Sequence, residues 1–288
     1  MNSTQDFWSV DGVSLQTFAY NVVSKESGMA PPPVRGNNIT VPFAPGQTWV
    51  RKVPDARTIT LQMWVQGSNI DGTVPNDAQM KKKFEENARR IRKLVWKPRQ
   101  QLTLTKQFWL PTAELTAAGV STTSLTKVGN YALYTATAKA EFIGGFDPSM
   151  TGATRAVFEI DFYLADPYFY SPEISLAITG TFTVLGDDRT HKVSLEFVGT
   201  RTNPVVRNTT LGTEFRYNGA VATGETLTVD VKNFTAQITG SATRNGIGSV
   251  VHSGDSFWLP LEAGSNTLTF SSTAGAGAST LKYQPVWI

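Results

Sequence analysis

The chain has 288 residues, of which 40% are hydrophobic and 17% charged, and it contains no cysteine. This length exceeds one comfortable hydrophobic core and predicts two domains, and the lack of cysteine excludes a disulfide scaffold, a thiolate metal site and a cysteine nucleophile. No basic stretch followed by an apolar core opens the sequence, and no apolar run approaches the roughly 20 residues of a membrane helix. We therefore expect a soluble protein that is made in a cytoplasm and does not insert into a membrane.

The net charge of +3 is concentrated in one segment. Residues 173–288 carry eight basic and nine acidic side chains, whereas residues 81–99 carry nine basic and two acidic ones. The positive charge is therefore local, and a general nucleic-acid binder is not indicated.

The first predicted element is a hairpin over residues 7–15. Its Asp11-Gly12 turn favours a two-residue connection, because both residue types tolerate positive φ. Residues 24–37, with three consecutive prolines at 31–33, form a predicted loop. Strands are predicted at 39–43 and at 58–65, where polar and apolar residues alternate.

One helix is predicted over residues 76–97. Asn76 is in N-cap position with Gln79 three residues later, and Pro98 stops the helix. The apolar face is formed by Met80, Phe84, Ala88, Ile91, Leu94 and Val95. The pairs Glu85–Arg89 and Glu86–Arg90 have the spacing of helix ion pairs.

Further strands are predicted at 101–105, 132–142 and 155–164, and the polar stretch 111–130 is predicted to be a protruding loop or arm. Two prolines at 167 and 172 exclude a continuing central strand, so the domains are predicted as 1–172 and 173–288. The second domain has short alternating strands typical of an antiparallel jelly-roll sandwich. These are predicted at 174–178, 193–197, 205–208, 213–217, 226–231, 236–238, 256–259 and 267–271.

The sequence offers little catalytic chemistry. The two histidines do not have metal-ligand spacing, and His252-Ser253-Gly254-Asp255 is interpreted as a hairpin turn because triad members come from separate elements. We therefore predict no enzyme activity, no catalytic residues, no cofactor and no bound metal.

The predicted helix has a basic face with two interpretations. It is either a solvated surface or a contact surface for an acidic neighbouring subunit or for passing DNA, which would be bound without sequence preference. The residues concerned are Lys81, Lys82, Arg89, Arg90, Arg92 and Lys93.

Two tryptophans of the second domain also have two interpretations. Trp258 and Trp287 lie among apolar neighbours and are interpreted mainly as core residues, with stacking on a host surface glycan as the alternative.

Several segments, taken in order, resemble the distal tail proteins of siphophages that infect Gram-positive hosts, often called minor tail proteins. The resemblance covers nearly the whole chain. It is carried by residues 7–15, 41–46, 54–61, 164–170, 199–208 and 283–288.

The resemblance implies a mainly β protein: a ring-forming β-sandwich or split-barrel domain with one helix, followed by a galectin-like sandwich. It also implies a homohexameric ring at the tail tip of a virion, joining the tail-tube protein to other tail-tip proteins. Residues 111–130 and 24–37 are the predicted contacts between subunits. The alternatives are a carbohydrate-binding adhesion module and a tail-tube subunit.

Overall fold

The computed structural model describes residues 7–17, 19–36, 39–40, 47–48, 53–98, 100–147, 149–254, 258–275 and 277–288. The chain divides into two compact units. The first unit comprises Met1–Phe108, Thr135–Phe169 and Ile288, and the second comprises Trp109–Tyr134 and Tyr170–Trp287.

The amino-terminal part of the chain contains short strands, long strands and two helices. In chain order they are β1 Phe7–Val10, β2 Val13–Ser14, β3 Tyr20–Ser27, β4 Val34–Arg35, β5 Ile39–Thr40, β6 Gln47–Thr48, β7 Val53–Pro54, β8 Arg57–Gln66, α1 Asp77–Val95, β9 Leu102–Pro111, α2 Thr112–Ala117, β10 Lys127–Val128, β11 Tyr131–Gly144, β12 Ser149–Gly152, β13 Arg155–Leu164 and β14 Phe169–Tyr170.

The remaining elements are short strands and one 3₁₀ turn at Ile247–Ser249. The strands are β15 Ile174–Ala177, β16 Gly180–Val184, β17 Val193–Val198, β18 Arg201–Thr202, β19 Val205–Asn208, β20 Thr213–Tyr217, β21 Ala220–Val221, β22 Thr226–Asp230, β23 Thr235–Thr239, β24 Arg244–Asn245, β25 Val250–Ser253, β26 Gly264–Ser271, β27 Ser279–Tyr283 and β28 Val286–Trp287. The predicted mainly β fold is confirmed.

The first unit is built on a sheet with the order β2-β1-β9-β11-β13-β8-β3. Strands β8 and β13 pair antiparallel along their full lengths, from Arg155 opposite Gln66 to Leu164 opposite Arg57. Every second residue of both strands is buried, as the period of two requires when one face of a sheet is covered. Ile160 and Phe162 of β13 are fully buried and lie in the core of this unit.

The hairpin predicted at residues 7–15 is present. Val10 pairs with Val13, and the two turn residues Asp11 and Gly12 have φ of 48° and 79°. The Asp11 carboxylate also accepts hydrogen bonds from the Thr103 amide, at 2.7 Å, and from the Lys97 ammonium. Burial raises the pKa of Asp11, but these two hydrogen bonds outweigh it and the pKa lies below its usual value. The turn is therefore held to the rest of the unit by this carboxylate and by the Asp11 amide, which donates to the Thr103 carbonyl at 2.9 Å.

We expect Asp11→Asn to lower the stability of the first unit by about 1 kcal/mol at neutral pH, because the charge-assisted hydrogen bonds are weakened while the positive φ remains tolerated. The folded pKa is depressed, so the contribution is present above the unfolded carboxyl pKa of about 3.9 and is lost as pH falls through the lower folded value. Urea unfolding of both proteins at pH 7 and in acid measures the difference. A difference that stays constant in acid would contradict this role.

The predicted helix is confirmed as α1, with Asn76 as its N-cap. The Asn76 side chain accepts a hydrogen bond from the Gln79 amide at 3.0 Å, and Ile91 and Val95 of the predicted apolar face are buried. The prediction missed Asn87, which is 2% exposed and lies between the apolar positions. Its Nδ2 donates to the carbonyl oxygens of Gln66 and Ser68, both at 2.8 Å. An amide is buried here because it binds the backbone at the end of β8.

The second unit is a sandwich of two antiparallel sheets. The sheets have the orders β15-β27-β17-β22-β23-β24 and β16-β26-β19-β20-β25. Side chains from the two sheets pack against each other in the space between the sheets. For example, Phe197 of β17 stacks on Phe270 of β26 with ring centroids 5.7 Å apart. The predicted strands at 205–208 and 213–217 match β19 and β20 in both bounds.

The segment 109–134, which contains the predicted arm, differs from its prediction in two respects. It groups with the second unit and not with the first, and it contains the short helix α2, whereas one helix was predicted for the whole chain. Leu115 of α2 and the following Ala118 are fully buried, and Gly119 lies so close to Leu176 that a Cβ would meet its Cδ2 at 2.7 Å. Part of this segment is thus anchored by apolar packing within the second unit.

Other strand bounds differ from the predictions. Residues 24–27, predicted as loop, continue β3, and β4 lies within the predicted loop 24–37. Trp258 and Leu259, predicted as strand, have no strand conformation. The resemblance segment 41–46, residue 37 and residues 255–257 lie outside the described residues.

Candidate contact surfaces

The basic face of α1 is on the surface of the first unit. All six predicted side chains are exposed, namely Lys81, Lys82, Arg89, Arg90, Arg92 and Lys93. The guanidinium of Arg92 lies 5.1 Å from the ring centroid of Phe146, which is a cation–π distance. The structure therefore brings these cations together on one helix face.

The ion pairs predicted for this helix are not the ones that form. Glu86 pairs with Lys83, with Nζ and Oε2 3.0 Å apart, and this hydrogen bond is the main reason that the pKa of Glu86 is lowered. Within α1, all of which is described, neither Glu85–Arg89 nor Glu86–Arg90 forms a salt bridge. Because Glu86 pairs with Lys83, Arg89 and Arg90 do not form the predicted ion pairs within the helix. Their positive charge therefore remains on the basic face.

We expect the joint substitution of Lys81, Lys82, Arg89 and Arg90 by glutamine to leave the fold intact, because exposed charges contribute little stability. If the face contacts DNA, binding of duplex DNA weakens and the slope of log affinity against log salt falls by up to about 4. Fluorescence anisotropy across a salt series measures this. The matched control replaces four exposed cations outside α1 and outside the predicted contact segments, Lys139, Arg155, Arg216 and Lys232. Equal effects of the two variants, or unchanged DNA binding, assembly and DNA ejection, would rule out a special role for this face.

The exposed part of the predicted arm lies around its β-turn. Strands β10 and β11 form a hairpin in which Val128 pairs with Tyr131, and these two side chains are 50% and 52% exposed. Residues that pair across a hairpin lie next to each other, so these two side chains form one exposed apolar patch. This tip is consistent with the predicted contact between subunits, which remains a proposal.

The two tryptophans considered for glycan stacking are buried within the second unit. Trp258 is 6% exposed and lies against the rings of Phe215 and Phe234, with centroids 5.9 and 5.5 Å away. Trp287 is 8% exposed, and its Nε1 donates to Ser171 Oγ at 2.7 Å. A sugar stacks on an open ring face, so this burial favours the core interpretation of both residues.

His252 and Ser253, predicted as part of a hairpin turn, belong instead to the strand β25, where His252 pairs with Phe215 in the sheet. Among the described residues, no group of three or more histidine, aspartate or glutamate side chains is placed to hold a metal ion. No helix in the described part of the chain is long and apolar enough to cross a membrane.

The sequence reasoning did not single out Trp96, the C-cap residue of α1. Its ring is 61% exposed and lies 6.0 Å from the ring of Phe142. The sequence shows a large aromatic residue directly after a basic helix. This position alone does not predict whether the side chain is exposed or buried.

Comparison with known proteins gives a consistent picture. Residues 186–287 match the family model described as "Siphovirus-type tail component, C-terminal domain". No curated protein sequence matches the chain significantly.

Among solved structures, the chain is similar to the crystal structure of Dit of phage SPP1, described as a paradigm of the hub of the adsorption apparatus in phages infecting Gram-positive bacteria. The TM-score is 0.61 at 15% identity, covering 99% of this chain and 100% of that one. Two structures of the phage P2 baseplate in its activated conformation, with Ca and with Sr, also match. Their TM-scores are 0.40 and 0.39 at 9% and 10% identity, covering 98% and 97% of this chain and 98% of each of those chains. The fold assignment rests on the SPP1 structure, because the other two scores are too low to support it.

The chain therefore has a fold similar to that of SPP1 Dit. The resemblance to the siphophage distal tail proteins that the sequence predicted is confirmed, most directly for residues 186–287.

Proposed function

We propose that this protein is a structural subunit of the distal tail hub of a phage with a long non-contractile tail, and that it is located in the virion. The observation that carries the proposal is the full-length similarity in fold to SPP1 Dit, at a TM-score of 0.61. The match of residues 186–287 to a siphovirus tail component supports it independently, because it comes from the sequence of the second unit.

In the proposed assembly, copies of the chain form a closed ring that joins the tail tube to the tail-tip apparatus. A ring requires two different surfaces on each subunit that complement each other across a rotation that closes. The first unit offers the edge strands β2 and β3 of its sheet, and an unpaired edge is a template for a neighbouring strand. The hairpin tip at Val128 and Tyr131 is the proposed second element. The partners proposed besides other copies are the tail-tube protein, other tail-tip proteins and passing DNA.

The test is negative-stain electron microscopy and mass photometry of the full-length protein, alone and with its tail-tube protein. We expect rings with an open lumen and, for a hexamer, six times the monomer mass of 31.4 kDa. Long stacked polymers would instead support a tail-tube subunit. Monomers in both samples would overturn the ring.

A further inference from the structure

The loop before α1 is closed by its own hydrogen bonds and exposes two apolar side chains next to a carboxylate. Ile70 is 48% exposed and Val74 is 72% exposed. Between them, Asp71 Oδ1 accepts hydrogen bonds from the amide and the hydroxyl of Thr73, at 2.9 and 2.7 Å, and the Asn69 amide donates to the Thr73 carbonyl at 3.0 Å. A loop held in one conformation loses little entropy on binding, so its exposed apolar side chains are suited to a contact.

The hydrogen bonds from Thr73 also lower the pKa of Asp71. The carboxylate is therefore charged at neutral pH, and Asp77, exposed in the first turn of α1, adds a second negative charge at this end of the helix.

The other end of α1 borders a groove whose lining includes two cations. The groove has a volume of about 640 Å³, and its lining includes Trp96, Phe142, Ile143 and Phe146 together with Arg92 and Lys93. Trp96 and Ile143 are 61% and 54% exposed. Gly145, with φ of +88°, allows the chain to pass within contact of β13, because a Cβ there would meet the Glu159 carbonyl oxygen at 2.6 Å. The groove thus has a largely apolar lining with two cations, and the Asp161 carboxylate lies near Gly145. Its shape depends on the close approach of the backbone at Gly145.

The two features cannot meet within one subunit. They lie at opposite ends of a helix of 19 residues, which is about 28 Å long at 1.5 Å per residue. An acidic apolar loop and a cationic apolar groove on the same unit are instead complementary between copies. Because the two surfaces differ, such a contact is head-to-tail and leads to a ring if the rotation closes.

We propose that the groove at Trp96 and Ile143 of one copy receives the loop Ile70–Val74 of the next copy. This inference rests on the proposed ring function and deepens it, since it assigns the contact between subunits to the two ends of α1. The apolar side chains supply the buried area, and the opposite charges orient the subunits.

The cysteine-free chain allows a direct test by cross-linking. In the double variant Val74→Cys with Ile143→Cys, a short bismaleimide is expected to join successive copies into a ladder of oligomers on a denaturing gel. Mixing the two single variants should give dimers only, and each single variant alone should give none. The matched control pairs Val74→Cys with Val251→Cys and should give no ladder. Val251 belongs to the second unit and is 50% exposed, close to the 54% of Ile143, which it replaces in the pair.

A second variant, Trp96→Ala, tests the same contact without a reagent. Removal of a central exposed aromatic at an interface is expected to weaken association about tenfold or more. Circular dichroism checks that the variant remains folded, and Val251→Ala is the control.

The outcomes separate this inference from the proposed function. A ladder specific to the 74–143 pair, with weakened rings in Trp96→Ala, supports the contact. If rings form normally but the 74–143 pair gives no more cross-linked product than the control pair, the proposed contact is wrong. The hub proposal is then unaffected. Neither rings nor a ladder, with the tail-tube protein present, overturns both.

Discussion

Trp287→Ala is expected to destabilise the second unit by about 3–5 kcal/mol, the usual cost of removing a large buried aromatic side chain. The ring packs edge-on against Tyr134, with centroids 6.2 Å apart, and donates to Ser171. Its loss leaves a cavity and removes the hydrogen bond from Nε1 to the Ser171 hydroxyl. Urea unfolding followed by circular dichroism measures the effect.

Two companion variants sharpen this prediction. Trp287→Phe keeps most of the packing and loses the hydrogen bond to Ser171, so a loss of about 1–2 kcal/mol is expected. Val251→Ala, at a position 50% exposed, should change stability by less than about 0.5 kcal/mol. If Trp287→Ala leaves stability unchanged but lowers binding to a host wall glycan, the stacking interpretation is correct and the core interpretation is wrong.

Asn87→Leu is expected to destabilise the first unit by about 2–4 kcal/mol, although it places an apolar side chain in a buried position. The carbonyl oxygens of Gln66 and Ser68 lose the hydrogen bonds from Asn87 Nδ2, and the loss of a hydrogen bond inside the protein costs about 1–2 kcal/mol. The matched control is Glu85→Leu, which introduces the same side chain at an exposed position of the same helix and should have a small effect.

Asn87→Leu is also expected to affect the loop of residues 70–74, which we propose as a contact between subunits. The carbonyl groups of Gln66 and Ser68 lie just before this loop, so losing their hydrogen bonds to Asn87 should increase the local opening of the loop in addition to lowering stability. Hydrogen exchange of the Thr73 amide measures local opening. Unchanged exchange there, together with unchanged stability, would show that Asn87 does not hold this segment.

The elements that could be predicted from the sequence are those with strong local signals. Helix α1 has an N-cap residue, an apolar period and a terminating proline, and β13 has ten residues of strict alternation that match the predicted bounds. The hairpin at Asp11-Gly12 follows from the φ preferences of its two turn residues. In each case the information lies within a few residues of the element.

The features that could not be predicted depend on distant contacts. Helix α2 has six residues, too few to show a period, and it is held by the burial of Leu115. Asn87 is polar and would be placed at the surface by any local rule, yet it binds a backbone segment about 20 residues away. The groove at Trp96 forms because residues 142–146 meet the end of α1, and this pairing has no local pattern.

The position of β27 in its sheet has a consequence for folding. This strand, at residues 279–283, lies between β15 and β17 and pairs with both. More than 100 residues separate β15 from β27 along the chain, so the chain between them must be brought together before these two strands can pair, and this closure costs conformational entropy. Pairings between distant strands form slowly compared with local hairpins. The hairpin of β19 and β20 is therefore expected to form early in the folding of the second unit, and the pairing of β15 with β27 late.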